Sequence, residues 1–254
     1  ANTERMFDAS LGVGQTFSIR LAVNYRNGDK GIDLFGPGGN GQKLWNFNIG
    51  EHAQSDGHTG SYRIIFVTTG TLQPISSDIA DYNTFVDTEA KDAASTETKD
   101  FSTTWTAVGS TGTVDARTNT GTTGAGTDIH IYTPTATAGT YQLVATSYTD
   151  LWDGSIATGI RYGDGTENNP GLANLGSEQI WTGTNVDGTS ASSGDGRELG
   201  SGPSPNNIRL VRGGRTDGHW ISSVSDHDAS AKHFMGMSGP LPPRGDDYYF
   251  EDKI

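Results

Sequence analysis

The 254-residue chain contains no cysteine. Disulfides, thiolate metal centres and thiol nucleophiles are thereby excluded together. Lysine is scarce, at six residues, and hydrophobic residues make up only 32% of the chain. No apolar run approaches the roughly 20 residues that span a bilayer, so membrane insertion is not expected. Positive charge is also short: 17 Lys and Arg against 30 Asp and Glu leave a net charge of −13. That field repels phosphate backbones and anionic lipid, and no nucleic-acid partner is expected.

What is present argues against disorder. Five Trp, nine Tyr and nine Phe are spread along the sequence, enough aromatic surface to build a core. The length allows one large domain or two small ones. The start, Ala1-Asn2-Thr3-Glu4, carries no signal-peptide pattern and fits a cytosolic start or a processed end equally. The wealth of Gly, Thr, Ser, Asp and Asn tips the expectation to a secreted, extracellular or cell-surface protein.

Patterning predicts a chain rich in strands. Phe17, Ile19, Leu21, Val23 and Tyr25 alternate with polar residues, the period of a half-buried strand. Asn27-Gly28 follows as a hairpin signal, then strands over Gly31 to Phe35 and Lys43 to Ile49, giving a three-stranded meander. Tyr62 to Thr68 is a largely apolar run of β-branched type, predicting a buried strand. Ile79, Tyr82, Phe85 or Val86, and Ala90 recur at helical spacing, with Ser76 or Ser77 as cap, predicting a helix over Ser77 to Ala94. Glu89 lies at its solvated end. Short strands are expected at 103–108, 129–132, 141–146, 179–182, 219–224 and 234–238, separated by Thr/Gly-rich loops at 110–127 and 187–205. The expected organisation is a partial sandwich over residues 1–60, a main domain over 61–241, and a C-terminal strand over 242–254. That last strand completes the first sheet, unless a neighbouring chain does so.

Six ordered blocks carry a family resemblance. They are Ile64-Ile65-Phe66-Val67-Thr68; the helix from Asp78 to Ala94; Phe101 to Val108 with Val114-Asp115-Ala116-Arg117; Leu143 to Ile156; Ile180-Trp181-Thr182-Gly183-Thr184-Asn185-Val186-Asp187-Gly188-Thr189; and His219-Trp220-Ile221 with His233 to Ser238. This order resembles the endostatin-like, collagen-related branch of the C-type-lectin fold found in secreted bacterial proteins. The resemblance implies an α+β, predominantly β domain with one main helix and long ordered loops. Many members carry cysteines in the second half, and this chain has none. Residues 1–50 resemble part of a bacterial surface-protein sandwich module.

Candidate sites follow. Asp164, Glu167 and Asn168 offer oxygens of the kind Ca²⁺ takes; the alternative is a polar turn whose Asp and Asn satisfy their own backbone. Trp152, flanked by Asp150 and Asp153, is expected to be exposed and able to stack on a sugar ring, and Asp187 and Arg197 share that loop-rich face. His219, Asp226, His227, Asp228 and His233 lie close in sequence, but His219 and His233 fall in blocks expected to pack a core. No Gly-x-Ser-x-Gly elbow, phosphate loop, His-Glu-x-x-His or dinucleotide fingerprint occurs. A non-catalytic recognition or adhesion module is expected, with a glycan or cell-surface or extracellular-matrix component as partner. The alternative is a structural subunit that pairs strands with copies of itself in a surface layer or filament.

Overall fold

A computed structural model describes residues 58, 60–167, 179–192, 196–201, 208–212, 214–226 and 230–242, with backbone alone at 212, 224 and 225. It also describes the backbone of four further strands, at 16–22, 30–35, 43–49 and 247–253. The chain divides into two compact units. The smaller comprises Ala1–Glu51 and Gly245–Ile254, the larger His52–Arg244.

In the smaller unit, β1 (Thr16–Ala22) pairs antiparallel with β12 (Asp247–Lys253), Ile19 standing opposite Phe250. β2 (Lys30–Phe35) pairs antiparallel with β3 (Lys43–Ile49). The described strands therefore form two two-stranded sheets in place of the expected three-stranded meander. The Asn-Gly signal is local, whereas the neighbour that β1 takes is more than 220 residues away.

The larger unit is mostly sheet, with few helices, and its main sheet is mixed. Strands β4 (Tyr62–Val67), β5 (Trp105–Ala107), β6 (His130–Pro134), β7 (Tyr141–Ala145) and β11 (Met235–Ser238) assemble in the order β5-β11-β4-β6-β7. Only β4 and β6 run parallel. A second, antiparallel sheet orders β10 (Val224–Asp226), β9 (Ile208–Arg212) and β8 (Gln179–Trp181). The central β4 explains its own apolar run. Tyr62, Ile64 and Phe66 enter one hydrophobic cluster, with Trp105, Tyr132 and Trp181, while Ile65 and Val67 enter another, with Ile131, Leu151, Trp220 and Met237. A strand with core on both faces has no polar alternation to show.

Helix α1 (Ile79–Lys91) packs on β5 and β11 through buried Tyr82, Val86 and Ala90. Its cap is Asp78, which accepts from the Ala80 amide at 2.9 Å; Ser76 instead accepts from the Asp78 amide and donates to Asp81. A carboxylate at this position also meets the positive helix end. Burial pushes the Tyr82 phenol well above its usual range, and its hydroxyl donates to the Ser76 carbonyl. Glu89 is not idle on the solvated face: its Oε2 accepts the Gly70 amide at 2.6 Å.

The edge strand β5 is closed by side chains. Asn83 Oδ1 accepts the Ala107 amide at 2.8 Å, Asn119 Nδ2 donates to the Ala107 carbonyl at 2.8 Å, and Asp87 Oδ1 accepts the Trp105 amide at 3.1 Å. The two Asn amides also bond each other. Such plugging removes the open backbone row that otherwise invites pairing with another chain. Asn119 ends the short helix α2 (Ala116–Asn119), inside the stretch expected to be irregular. The expected strand at 219–224 is absent. Asp217 accepts the His219 amide and starts a 3₁₀ turn, Gly218–Trp220, and the strand begins only at Val224. Among the described residues no helix is long and apolar enough to cross a membrane.

Candidate functional site

Three aspartates singled out from the sequence share one local structure. Asp153, Asp164 and Asp187 each precede a glycine and then a Ser or Thr. In every case Oδ1 accepts both the amide and the hydroxyl two residues on. The distances are 2.9 and 3.1 Å for Ser155, 2.8 and 2.7 Å for Thr166, and 3.1 and 2.6 Å for Thr189. The intervening glycines have φ of 106°, 80° and 79°, the left-handed region that closes such a turn at no steric cost. These carboxylates are turn fasteners first.

Asp150 is fastened likewise. It lies in the short helix α3 (Tyr148–Leu151), where its amide donates to the capping Ser147 hydroxyl. Its Oδ2 accepts from the Thr146 amide at 2.6 Å and hydroxyl at 2.9 Å. Glu167 pairs with Arg161 at 3.0 Å, and Asn168 lies outside the described residues. The two described candidate calcium ligands thus already hold protein partners. Among the described residues no three His, Asp or Glu groups gather to hold a metal ion.

The structure separates the two candidate sets. Thr146 and Asp150 follow the end of β7, whereas Gly165 packs on the Thr135 carbonyl in the turn that precedes β7. Arg197 belongs to another segment: its amide donates to the Ala191 carbonyl and its carbonyl accepts the Arg209 amide.

Trp152, Asp153 and Asp187 do come together. Trp152 is half-buried, not exposed, and its indole N–H donates to Thr122 at 3.0 Å. Gly188 lies on its ring: a Cβ there would sit 2.8–3.0 Å from three indole carbons. Trp220 tilts against it with ring centroids 5.6 Å apart. The indole therefore packs between loops, half-buried where an exposed ring was expected. Val186 reaches from Gly154 to Gly218, within about van der Waals contact of a Cβ built at either, yet keeps 36% of its surface exposed. The Arg117 amide donates to the Gly188 carbonyl at 3.2 Å. Four segments, 117–122, 152–155, 185–189 and 215–220, thus make one surface.

Its electrostatics are set by two carboxylates. Partial burial works against the charge of Asp187, but the Thr189 hydroxyl and amide and the Arg117 charge outweigh it and leave the carboxyl below its ordinary value. Asp217 lies far below that range, held first by the hydrogen bond from Arg215 and next by the one from His219. Arg215 donates through Nε at 3.0 Å and also through Nη2, and His219 Nδ1 lies 3.1 Å away. His219 is thus an exposed member of an Arg–Asp–His turn and not a core residue. His233, by contrast, is anchored inside, its Nδ1–H shared between the Thr68 and Gly70 carbonyls at 2.8 and 3.2 Å. A carboxyl with a depressed pKa keeps its contacts above the ordinary value and loses them only as pH falls through the lowered one. The Asp217 carboxyl signal in an NMR titration is accordingly expected to stay that of the ionised form down to about pH 3, below the usual midpoint near 3.9. A midpoint at the usual value would show that the ion pair does not persist in solution.

A small depression lies beside this surface, between Ile160, Ile180, Val211, Arg215 and Trp220. Its volume of about 10 Å³ suits no more than one water. Sequence reading missed Arg117, Val186, Arg215 and Asp217. The repeated Asp-Gly-Ser/Thr triplets and the 215–217–219 spacing of Arg, Asp and His were the available signals. A scan against protein-family models and a search of the curated proteins both find no match to this chain.

Proposed function

We propose that this chain is a non-catalytic recognition or adhesion module of a secreted or cell-surface bacterial protein, built on a C-type-lectin-like, endostatin-like scaffold. The observation that carries this reading is the fastened surface of segments 117–122, 152–155, 185–189 and 215–220. Exposed Val186 sits there among Arg117, Asp153, Asp187, Arg215, Asp217 and His219. Rigid turns lower the entropy lost on binding, and an apolar contact ringed by charges of both signs suits a glycan or protein ligand. Asp153, Asp187 and Asp217 all hold neighbouring side chains or amides, which keeps the turns of this surface in place.

Val186→Asp tests it. The exposed side chain can be changed without opening the core, so the melting temperature should stay within about 2 °C. Binding to cells or to a glycan array should fall about tenfold or more, as for loss of a central contact residue. Undiminished binding by the folded variant would remove this surface from recognition.

The alternative reading is a structural subunit assembled through strand exchange. It is favoured by the two two-stranded sheets of the smaller unit, since two-stranded ribbons are marginal alone. Light scattering separates the readings: species that persist on dilution and vanish when residues 246–254 are deleted would favour assembly.

A further inference from the structure

The aspartate turns also set side-chain carboxyls beside backbone amides. Four Asp-Gly pairs lie wholly among the described residues, at 153–154, 164–165, 187–188 and 217–218. In such a pair the amide nitrogen after the aspartate can close on the side-chain carboxyl, since glycine has no Cβ to obstruct the approach. Ring closure needs two things from the fold: a free glycine N–H, and a carboxylate oxygen free to leave.

Three of the pairs lack one of these. The Gly165 amide donates to the Tyr162 carbonyl at 2.8 Å, and the Gly188 amide to the Asn185 carbonyl at 3.0 Å. Asp217 has both oxygens engaged, Oδ1 by Arg215 Nε at 3.0 Å and Oδ2 by Arg215 Nη2 and His219 Nδ1. The Asp153–Gly154 pair differs on both counts. The Gly154 amide donates to no acceptor among the described residues. Asp153 is exposed, and only its Oδ1 is bonded, by the Ser155 amide and hydroxyl at 2.9 and 3.1 Å. Oδ2 is free of partners among the described residues. The two Ser155 donors also sit where negative charge gathers on Oδ1 as Cγ becomes tetrahedral, which lowers the barrier to attack.

We propose that Asp153–Gly154 is a self-modification site, at which the folded chain converts aspartate to isoaspartate. The Gly154 nitrogen bonds to Asp153 Cγ and gives up its proton. Oδ2 takes that proton and one from solvent and leaves as water, closing a succinimide. Water then adds at either ring carbonyl. Attack at Cγ restores aspartate. Attack at the Asp153 main-chain carbonyl carbon breaks its bond to Gly154 and routes the backbone through Cβ and Cγ. Solvent water is the one co-reactant, and the product has the mass of the starting chain. The isoaspartyl form adds a methylene to the backbone beside Val186, whose Cγ1 would lie 3.3 Å from a Cβ on Gly154. Any loss of ligand binding that follows rests on the recognition reading above; the isomerisation itself does not.

Ageing the full natural chain in mildly acidic buffer tests this, followed by peptide mapping with electron-transfer fragmentation, which tells isoaspartate from aspartate. Isoaspartate should accumulate at 153 about fivefold faster or more than at 164 or 187, where a hydrogen bond must break first. It should also outpace 217, whose carboxylate is held on both oxygens. The same chain unfolded in urea is the control, and there the four sites should react at similar rates because each has glycine next. Equal rates in the folded chain would overturn the proposal. So would the absence of isoaspartate at 153 while the unfolded chain forms it there, or a preference for 153 that persists unchanged in urea.

Discussion

Arg63→Met is expected to lower the thermal midpoint of the larger unit on the order of 10 °C. Arg63 is 4% exposed and has no carboxylate partner among the described residues. Its charge is met by oxygen dipoles and one ring. Nε donates to the Tyr148 hydroxyl at 2.8 Å, Nη1 to the Thr120 and Ser238 carbonyls at 2.7 and 3.0 Å, and Nη2 to Gly121 at 3.4 Å. The guanidinium also lies 5.2 Å from the centre of the Tyr148 ring. Thr120 and Gly121 follow α2, so the cation satisfies carbonyls at a helix C-terminus. It ties β4 to α2, α3 and β11 at once. Methionine fills the volume but donates nothing, leaving buried carbonyls without partners at about 1–3 kcal/mol each. Discounting for partial relaxation, a loss of about 3–5 kcal/mol follows, and about 2–4 °C per kcal/mol applies to a unit of this size. A melting curve within 2 °C of the natural chain would show that water replaces the guanidinium. Arg63→Lys should recover only part, because one ammonium cannot span four acceptors.

Asn83→Leu is the second large loss, about 2–4 kcal/mol, together with a gain in self-association. The leucine leaves the fully buried Ala107 amide without its acceptor and Asn119 without its partner. Because the same amide closes the edge of the main sheet, β5 becomes open to pairing. Calorimetry reads the first effect and concentration-dependent light scattering the second. A destabilised variant that stays monomeric would show that Asp87 and Asn119 suffice to guard the edge.

Much of the larger unit was legible because its signals are local. The β4 run, the α1 spacing and most short strands were placed within a few residues. Elements at 208–212, 116–119 and 148–151 were missed, since four or five residues are too few to show a period. At the candidate site, the residues were easier to pick than their roles. Asp153, Asp164 and Asp187 stood out as acidic groups in polar loops. The Ser or Thr two residues on was equally visible, and the resulting turn accounts for their carboxylates.

The sequence by itself determined a strand-rich, acidic, thiol-free α+β chain, because composition and periodicity act over a few residues. Only the tertiary structure decided which distant groups meet. It set β1 beside β12 rather than β2, buried one face of Trp152 under Gly188, and separated Asp164 from Asp150 by the length of β7. It also left His219 in an exposed turn and brought His58 onto His130. Each of these rests on contacts between residues far apart in the chain. Their free energy depends on what else is packed or bonded at the same place, which no local pattern records.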